Sequence, residues 1–214
     1  MTFSELKTAI GTWLDKDDTA LPDAVRGQIV NMVVQEYCRR FDLSFNEYTA
    51  DVSALVSTPS SDLPTGFSRP CEMYYLDALG NKINVDYLSR EEFRIKYPNS
   101  AETGDVVHYT LWAGKIWWGP TPVANQTVKF DIYRILTDLS APDATNDFTI
   151  YHWPLLLFKS CCLASIFGIE DVRMATWQSE YSRLESQLVQ EHARAKTAGR
   201  RPVSNEYGYT ARGA

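Results

Sequence analysis

The run Val106-Val107-His108-Tyr109-Thr110-Leu111-Trp112-Ala113-Gly114-Lys115-Ile116-Trp117-Trp118 decides the fold. Apolar residues recur at a period of two on either side of Ala113-Gly114, and a two-residue turn there makes the segment a hairpin. With that turn, Val107, Tyr109, Leu111, Ile116 and Trp118 share one face, and His108, Thr110, Trp112, Lys115 and Trp117 share the other. The next strand is the clearest in the chain. In it Val128, Phe130 and Ile132 alternate with Thr127, Lys129, Asp131 and Tyr133, giving one buried face and one wet or contacted face.

Toward the N-terminus the same period continues. Residues 45–52 read as an edge strand, 56–70 as a loop rich in Ser, Thr and Pro, and 71–76 as a strand. Gly80-Asn81 turns the chain into 83–85, and Ser89 caps a short helix that stops before Pro98. Residues 43 to 137 therefore predict an antiparallel β layer.

On both sides of it the period is helical. Thr2 with Glu5 forms a capping-box pattern, and Phe3, Leu6, Ile10, Trp13 and Leu14 make one stripe. After a polar break at 15–20, Leu21-Pro22-Asp23 starts a second helix with Val25, Ile29, Val33, Tyr37 and Phe41 on its apolar face. Helix returns near Tyr151, with Pro154 in the first turn and 155–167 apolar nearly all round, which marks a buried helix. Gly168 suits its C-terminal cap and Glu170-Asp171 the start of the next helix. That last helix, 170–196, carries Met174, Trp177, Tyr181, Leu184 and Leu188 as a seam along a partner.

The fold class expected is α+β: a helical bundle with an inserted antiparallel β layer and a flexible C-terminal tail. Residues 1–42 are its helix hairpin and 43–147 the β insert with one short helix. Residues 148–196 are two helices completing the bundle, and 197–214 an extended basic tail. The tail holds Arg200, Arg201, Tyr207, Tyr209 and Arg212 without an apolar period, so it has little to bury.

Composition narrows the function. Hydrophobic residues make up 44% and charged residues 22%, which suits a folded protein. No apolar run approaches the roughly 18–20 residues that span a bilayer, and no signal peptide is visible, so folding in cytoplasm is expected. Cys38, Cys71, Cys161 and Cys162 lack metal or redox spacing and read as reduced, mostly buried thiols. The net charge of −6 comes with no dense basic patch in the body of the chain, which argues against a protein that grips DNA.

Catalytic patterns are missing. There is no nucleophile elbow, phosphate loop, dinucleotide fingerprint or H-E-x-x-H. His108, His152 and His192 have no ligand-spaced neighbours, and Asp17-Asp18 and Glu91-Glu92 sit beside predicted helix ends. No cofactor or metal is expected. Trp112 and Trp117 are the conspicuous side chains, because they face away from the expected core. Three readings stay open for them: stacking on sugar rings, anchoring a protein–protein interface, or packing under a second layer.

The order helix hairpin, β insert, buried helix, long helix, basic tail resembles the head–tail adaptors of podovirus-type bacteriophages, the tail tubular protein A family among them. Local patterns carry the resemblance: Leu63-Pro64-Thr65-Gly66-Phe67 before the first insert strand, and Leu88-Ser89-Arg90-Glu91-Glu92-Phe93. They continue with Tyr109-Thr110-Leu111, Gly114 and Trp118-Gly119-Pro120-Thr121-Pro122 in the hairpin. The closing strand Phe130-Asp131-Ile132-Tyr133-Arg134 and the helix bearing Trp177, Tyr181 and Leu184 complete them. The tail has no counterpart among these patterns.

The resemblance implies a non-enzymatic structural protein of the virion. It would form a ring of about twelve copies between the portal and a nozzle or tail-tube protein. DNA would pass through the channel without sequence-specific binding. Trp112, Trp117 and Tyr133, with Arg200, Arg201, Tyr207, Tyr209 and Arg212 of the tail, are the candidate interface residues. A β module that binds carbohydrate or receptor through Trp112, Trp117 and Tyr133, and a small hydrolase with an unrecognised site, remain the alternatives.

Overall fold

Capping chemistry sets where helices begin. In the computed structural model, which describes residues 1–16, 18–99, 101–164 and 172–197, the Thr2 hydroxyl accepts the Glu5 N–H and the Glu5 carboxylate accepts the Thr2 N–H. Helix α1 (Phe3–Leu14) follows, burying Phe3, Leu6, Ile10 and Leu14. Trp13 lies at the flank of that stripe and meets the Phe158 ring edge-on at 5.3 Å. Helix α2 (Asp23–Arg40) buries Ile29, Val33 and Tyr37.

The first C-terminal helical segment begins earlier than its period suggests. The Asn146 side chain caps a short helix, α4 (Asp147–Tyr151), ahead of the expected start near Tyr151. Helix α5 (Trp153–Ala164) has Pro154 in its first turn and buries Leu155, Leu156, Leu157 and Cys161. It packs against α1, α2 and helix α6 (Met174–Thr197). On α6, Trp177 and Leu188 are buried and Tyr181 and Leu184 pack at the margin of the same core. Helix α6 starts at Met174 and not at 170. The Gly168 cap and the Glu170-Asp171 start fall outside the described residues, as does the tail from 198 onward.

The β region departs from the expected single layer. Strands β1 (Glu47–Ala54), β10 (Gln126–Arg134), β3 (Phe67–Leu76) and β4 (Lys82–Asn84) form one sheet in the order β1-β10-β3-β4. Strands β2 (Ser60–Asp62), β8 (Lys115–Gly119), β7 (His108–Trp112) and β5 (Asp86–Tyr87) form a second, in the order β2-β8-β7-β5. Two of the pairings are parallel: β5 with β7, and a small pair of β6 (Thr103–Gly104) with β9 (Thr121–Pro122). The two larger sheets enclose a core of their own, with Met73, Val128, Phe130 and Ile132 from one and Tyr109, Ile116 and Trp118 from the other. Tyr109 and Phe130 meet across it, ring centroids 5.8 Å apart.

Two boundaries moved for physical reasons. The expected loop at 56–70 contains strand β2, and β3 begins at Phe67, before Pro70. Proline has no N–H to give a ladder, but here the register shifts beside it: Asp131 pairs Glu72 while Ile132 pairs Pro70, leaving Cys71 as the extra residue of a bulge. At the hairpin, Ala113 and Gly114 both take positive φ, 52° and 72°, the geometry of a tight two-residue turn. Its register pairs Tyr109 with Trp118 and Leu111 with Ile116. Val107 is the exception to the expected inner face. It is 45% exposed while Val106 is buried, because the alternation changes phase before β7 begins at His108.

Candidate functional site

Helix α3 (Arg90–Lys96) lies on the outer face of the β7–β8 hairpin. Its start is fixed by Ser89, whose hydroxyl accepts the Glu92 N–H while the Glu92 carboxylate accepts the Ser89 N–H. Those bonds hold the exposed Glu92 carboxyl below the usual carboxylate range. The helix seats closely. A Cβ built on Gly119 would stand 2.5 Å from the Tyr97 ring and 2.8 Å from that of Phe93, so glycine there is what lets the two rings approach the strand.

Trp112 and Trp117 stand side by side on this outer face, ring centroids 5.6 Å apart and tilted by 31°. The Arg90 guanidinium lies 4.0 Å from the Trp112 ring centre, a cation–π contact supplied by α3 itself. The Trp117 Nε1 donates to the Trp112 carbonyl at 3.2 Å. A sugar ring laid on that face of Trp112 would have to displace Arg90.

Between α3 and the hairpin is a cleft of about 240 Å³, lined by Phe93, Tyr97, Trp112 and Trp117 with Thr110 among the strand residues. Thr110 is only 3% exposed, and its Oγ1 makes no hydrogen bond. Arg90, Arg94 and Glu102 also line the cleft, and all three are exposed. Beside it, His108 is held by Lys96 and Tyr97. The Lys96 ammonium can only donate, so His108 Nε2 accepts at 2.9 Å and Nδ1 carries the proton given to Tyr97 Oη at 2.8 Å. Burial, then the Lys96 charge, pushes the His108 pKa down.

Tyr133 is not part of this constellation. It points outward from the other sheet, where its hydroxyl donates to Glu47 Oε1 at 3.1 Å and the Arg69 guanidinium lies 5.8 Å from its ring centre. Burial and the Glu47 carboxylate raise its pKa far above that of free tyrosine. The structure therefore brings Trp112 and Trp117 together and leaves Tyr133 apart. Arg200, Arg201, Tyr207, Tyr209 and Arg212 lie outside the described residues.

Two groupings escaped the sequence reading. His152, at the joint of α4 and α5, and His192, on α6, have ring centroids 6.2 Å apart with the Phe45 ring against both. They are 40 residues apart in sequence, so no local spacing announces them. Arg26 is the second. Its buried guanidinium donates to the Lys16 carbonyl at 3.1 Å and pairs with Asp18 at 3.1 Å, clamping the α1–α2 turn. Asp17 is outside the described residues.

The cysteines are all free, but Cys71 is exposed where mostly buried thiols were expected, since the bulge at Pro70 turns it outward. Burial raises the pKa of Cys38, Cys71 and Cys162, which keeps them as thiols near neutrality. Among the described residues no group of three or more His, Cys, Asp or Glu is placed to hold a metal, and no helix is long and apolar enough to cross a membrane.

The family model described as SU10 adaptor protein matches residues 1–204 of the chain. A search of curated proteins finds no match.

Proposed function

Because the chain belongs to the SU10 adaptor protein family, phage head–tail adaptors, we propose that it is a non-enzymatic ring subunit joining a portal to a tail. The observation that carries this is the extent of the match, residues 1–204, which takes in both the helical core and the β module. In this reading about twelve copies close a ring, with the portal on one side and a nozzle or tail-tube protein on the other. The likeness to tail tubular protein A adaptors belongs to the same proposal, as does a place in the virion at the head–tail junction after assembly in the host cytoplasm.

Shape and charge support it. A closed ring is built from heterologous contacts, so each subunit needs two unlike complementary flanks. This molecule has a helical core and a separate β core to supply them. Its main sheet also ends in unlike edges, eight residues at β1 and three at β4. The net charge of −6 suits a channel from which phosphate is repelled. Trp112, Trp117 and Tyr133 serve as subunit or partner contacts, and the tail from 198 onward docks on a neighbouring component.

The test is the mass of the purified chain, alone and mixed with its portal, by light scattering and negative-stain imaging. A ring of about a dozen copies, free or on the portal, is the expected result. A monomer that ignores the portal would overturn the reading.

A further inference from the structure

We infer that the cleft under α3 receives a tyrosine, Tyr207 or Tyr209, from the C-terminal segment of a second copy of this chain. The cleft is aromatic along its walls, yet it holds a buried hydroxyl, Thr110 Oγ1, with no partner. The neighbouring indole donors are already engaged: Trp117 Nε1 is on the Trp112 carbonyl and Trp118 Nε1 is on Ser61 Oγ at 2.9 Å. An occupant that completes the site must bury a flat apolar body and present a polar atom at its far end. A phenol does both. An aliphatic side chain would leave Thr110 unsatisfied, which is unfavourable for a buried hydroxyl.

The occupant follows from what lies beyond α6. Seventeen residues, 198–214, continue past Thr197 and include Tyr207-Gly208-Tyr209. Tyr207 lies ten positions beyond Thr197, an extended reach of roughly 35 Å. Two local charge pairs are complementary: Glu206 adjoins Tyr207 as Arg90 and Arg94 line the cleft, and Arg212 follows Tyr209 as Glu102 lies on the same lining. The inference rests on the ring reading only in requiring a neighbouring copy.

Full-length chain carrying Tyr207→Ala and Tyr209→Ala removes both proposed occupants of the cleft. A fluorescein-labelled peptide of residues 198–214, followed by anisotropy, should bind that variant. Thr110→Val should weaken binding about tenfold. Arg94→Glu, at an exposed position, should weaken it also, and a peptide with alanine at both tyrosines should not bind. Peptide binding that ignores the tyrosines, Thr110 and Arg94, or no binding, would overturn the inference, as would displacement by a hexose of fluorescence attributed to the peptide. Light scattering on the same samples separates the two readings. Rings without tyrosine-dependent binding sink the cleft occupant alone. Tyrosine-dependent binding by a chain that never closes a ring sinks the ring alone.

Discussion

At the scale of single residues, the informative side chains are those whose two ends have opposite preferences. Tyr37 is fully buried on α2, with Phe41 stacked at 5.7 Å and Phe148 at 5.9 Å, yet its hydroxyl has no hydrogen-bond partner. Burial, with the Glu185 and Glu36 carboxylates beside it, drives its pKa far up. The ring stabilises the core and the hydroxyl opposes it. Tyr37→Phe should therefore leave stability unchanged or raise it by up to about 1 kcal/mol, whereas Tyr37→Ala should cost about 3–5 kcal/mol. Urea midpoints of both variants check this, and a clear loss in the phenylalanine variant would mean the hydroxyl is satisfied. Gly119 makes the converse case. An alanine there runs into the Tyr97 and Phe93 rings, and α3 buries no residue fully that would hold it down. Gly119→Ala should cost about 1–3 kcal/mol and speed amide exchange across residues 90–96. Unchanged exchange would show that α3 is held by other contacts. Thr2 with Glu5 was legible in the sequence because its chemistry is local. Tyr37 and Thr110 were not, since whether a hydroxyl finds a partner depends on segments far away in the chain.

At the scale of elements, period was legible and partnership was not. The hairpin at 108–119, the closing strand β10 and the stripes of α1, α2 and α6 all follow from spacing. Strands of two or three residues, such as β2, β5, β6 and β9, are too short to show a period and exist only because a longer strand offers them a ladder. That is why one layer was expected where two sheets face each other. The joint between α6 and the β region is a further case. The Ser44 N–H can only donate, so His192 Nδ1, 3.2 Å away, must be unprotonated there. His152 beside it has its pKa lowered, first by burial and then by His192, against the opposing pull of Glu191 and Asp147. A folded pKa below the unfolded value of about 6.5 means that the unfolded chain binds more protons in that range. The stabilisation is present above that value and is lost as pH falls through the folded pKa. The urea midpoint should drop between pH 7.5 and 5.5, and His152→Phe should flatten that drop. An equal drop in the variant would assign it to other groups, His108 among them, whose pKa burial also lowers.

At the scale of the whole molecule, charge is distributed unevenly along the chain. Residues 198–214 hold three arginines against one glutamate, which is +2, so a net charge of −6 leaves −8 on the rest. Duplex binding without sequence readout draws its affinity from neutralising phosphates with clustered lysine and arginine and releasing their counterions. In the folded part many of those cations are already paired: Arg26 with Asp18, Arg40 with Glu185, Arg69 with Asp42, Lys82 with Glu72 and Lys129 with Asp51. Lys7 is paired with Asp23 in the same way. In the proposed ring, a threading duplex would meet net repulsion and few free donors, and would move without being held. The full-length chain should therefore not retard a short duplex in a gel at about 50 mM salt, a concentration at which phosphate-binding proteins bind strongly. Retardation that fades steeply as salt is raised would reveal a basic surface assembled from several subunits. The proposed channel would then have to work by gripping DNA, and the acidic body would need another explanation.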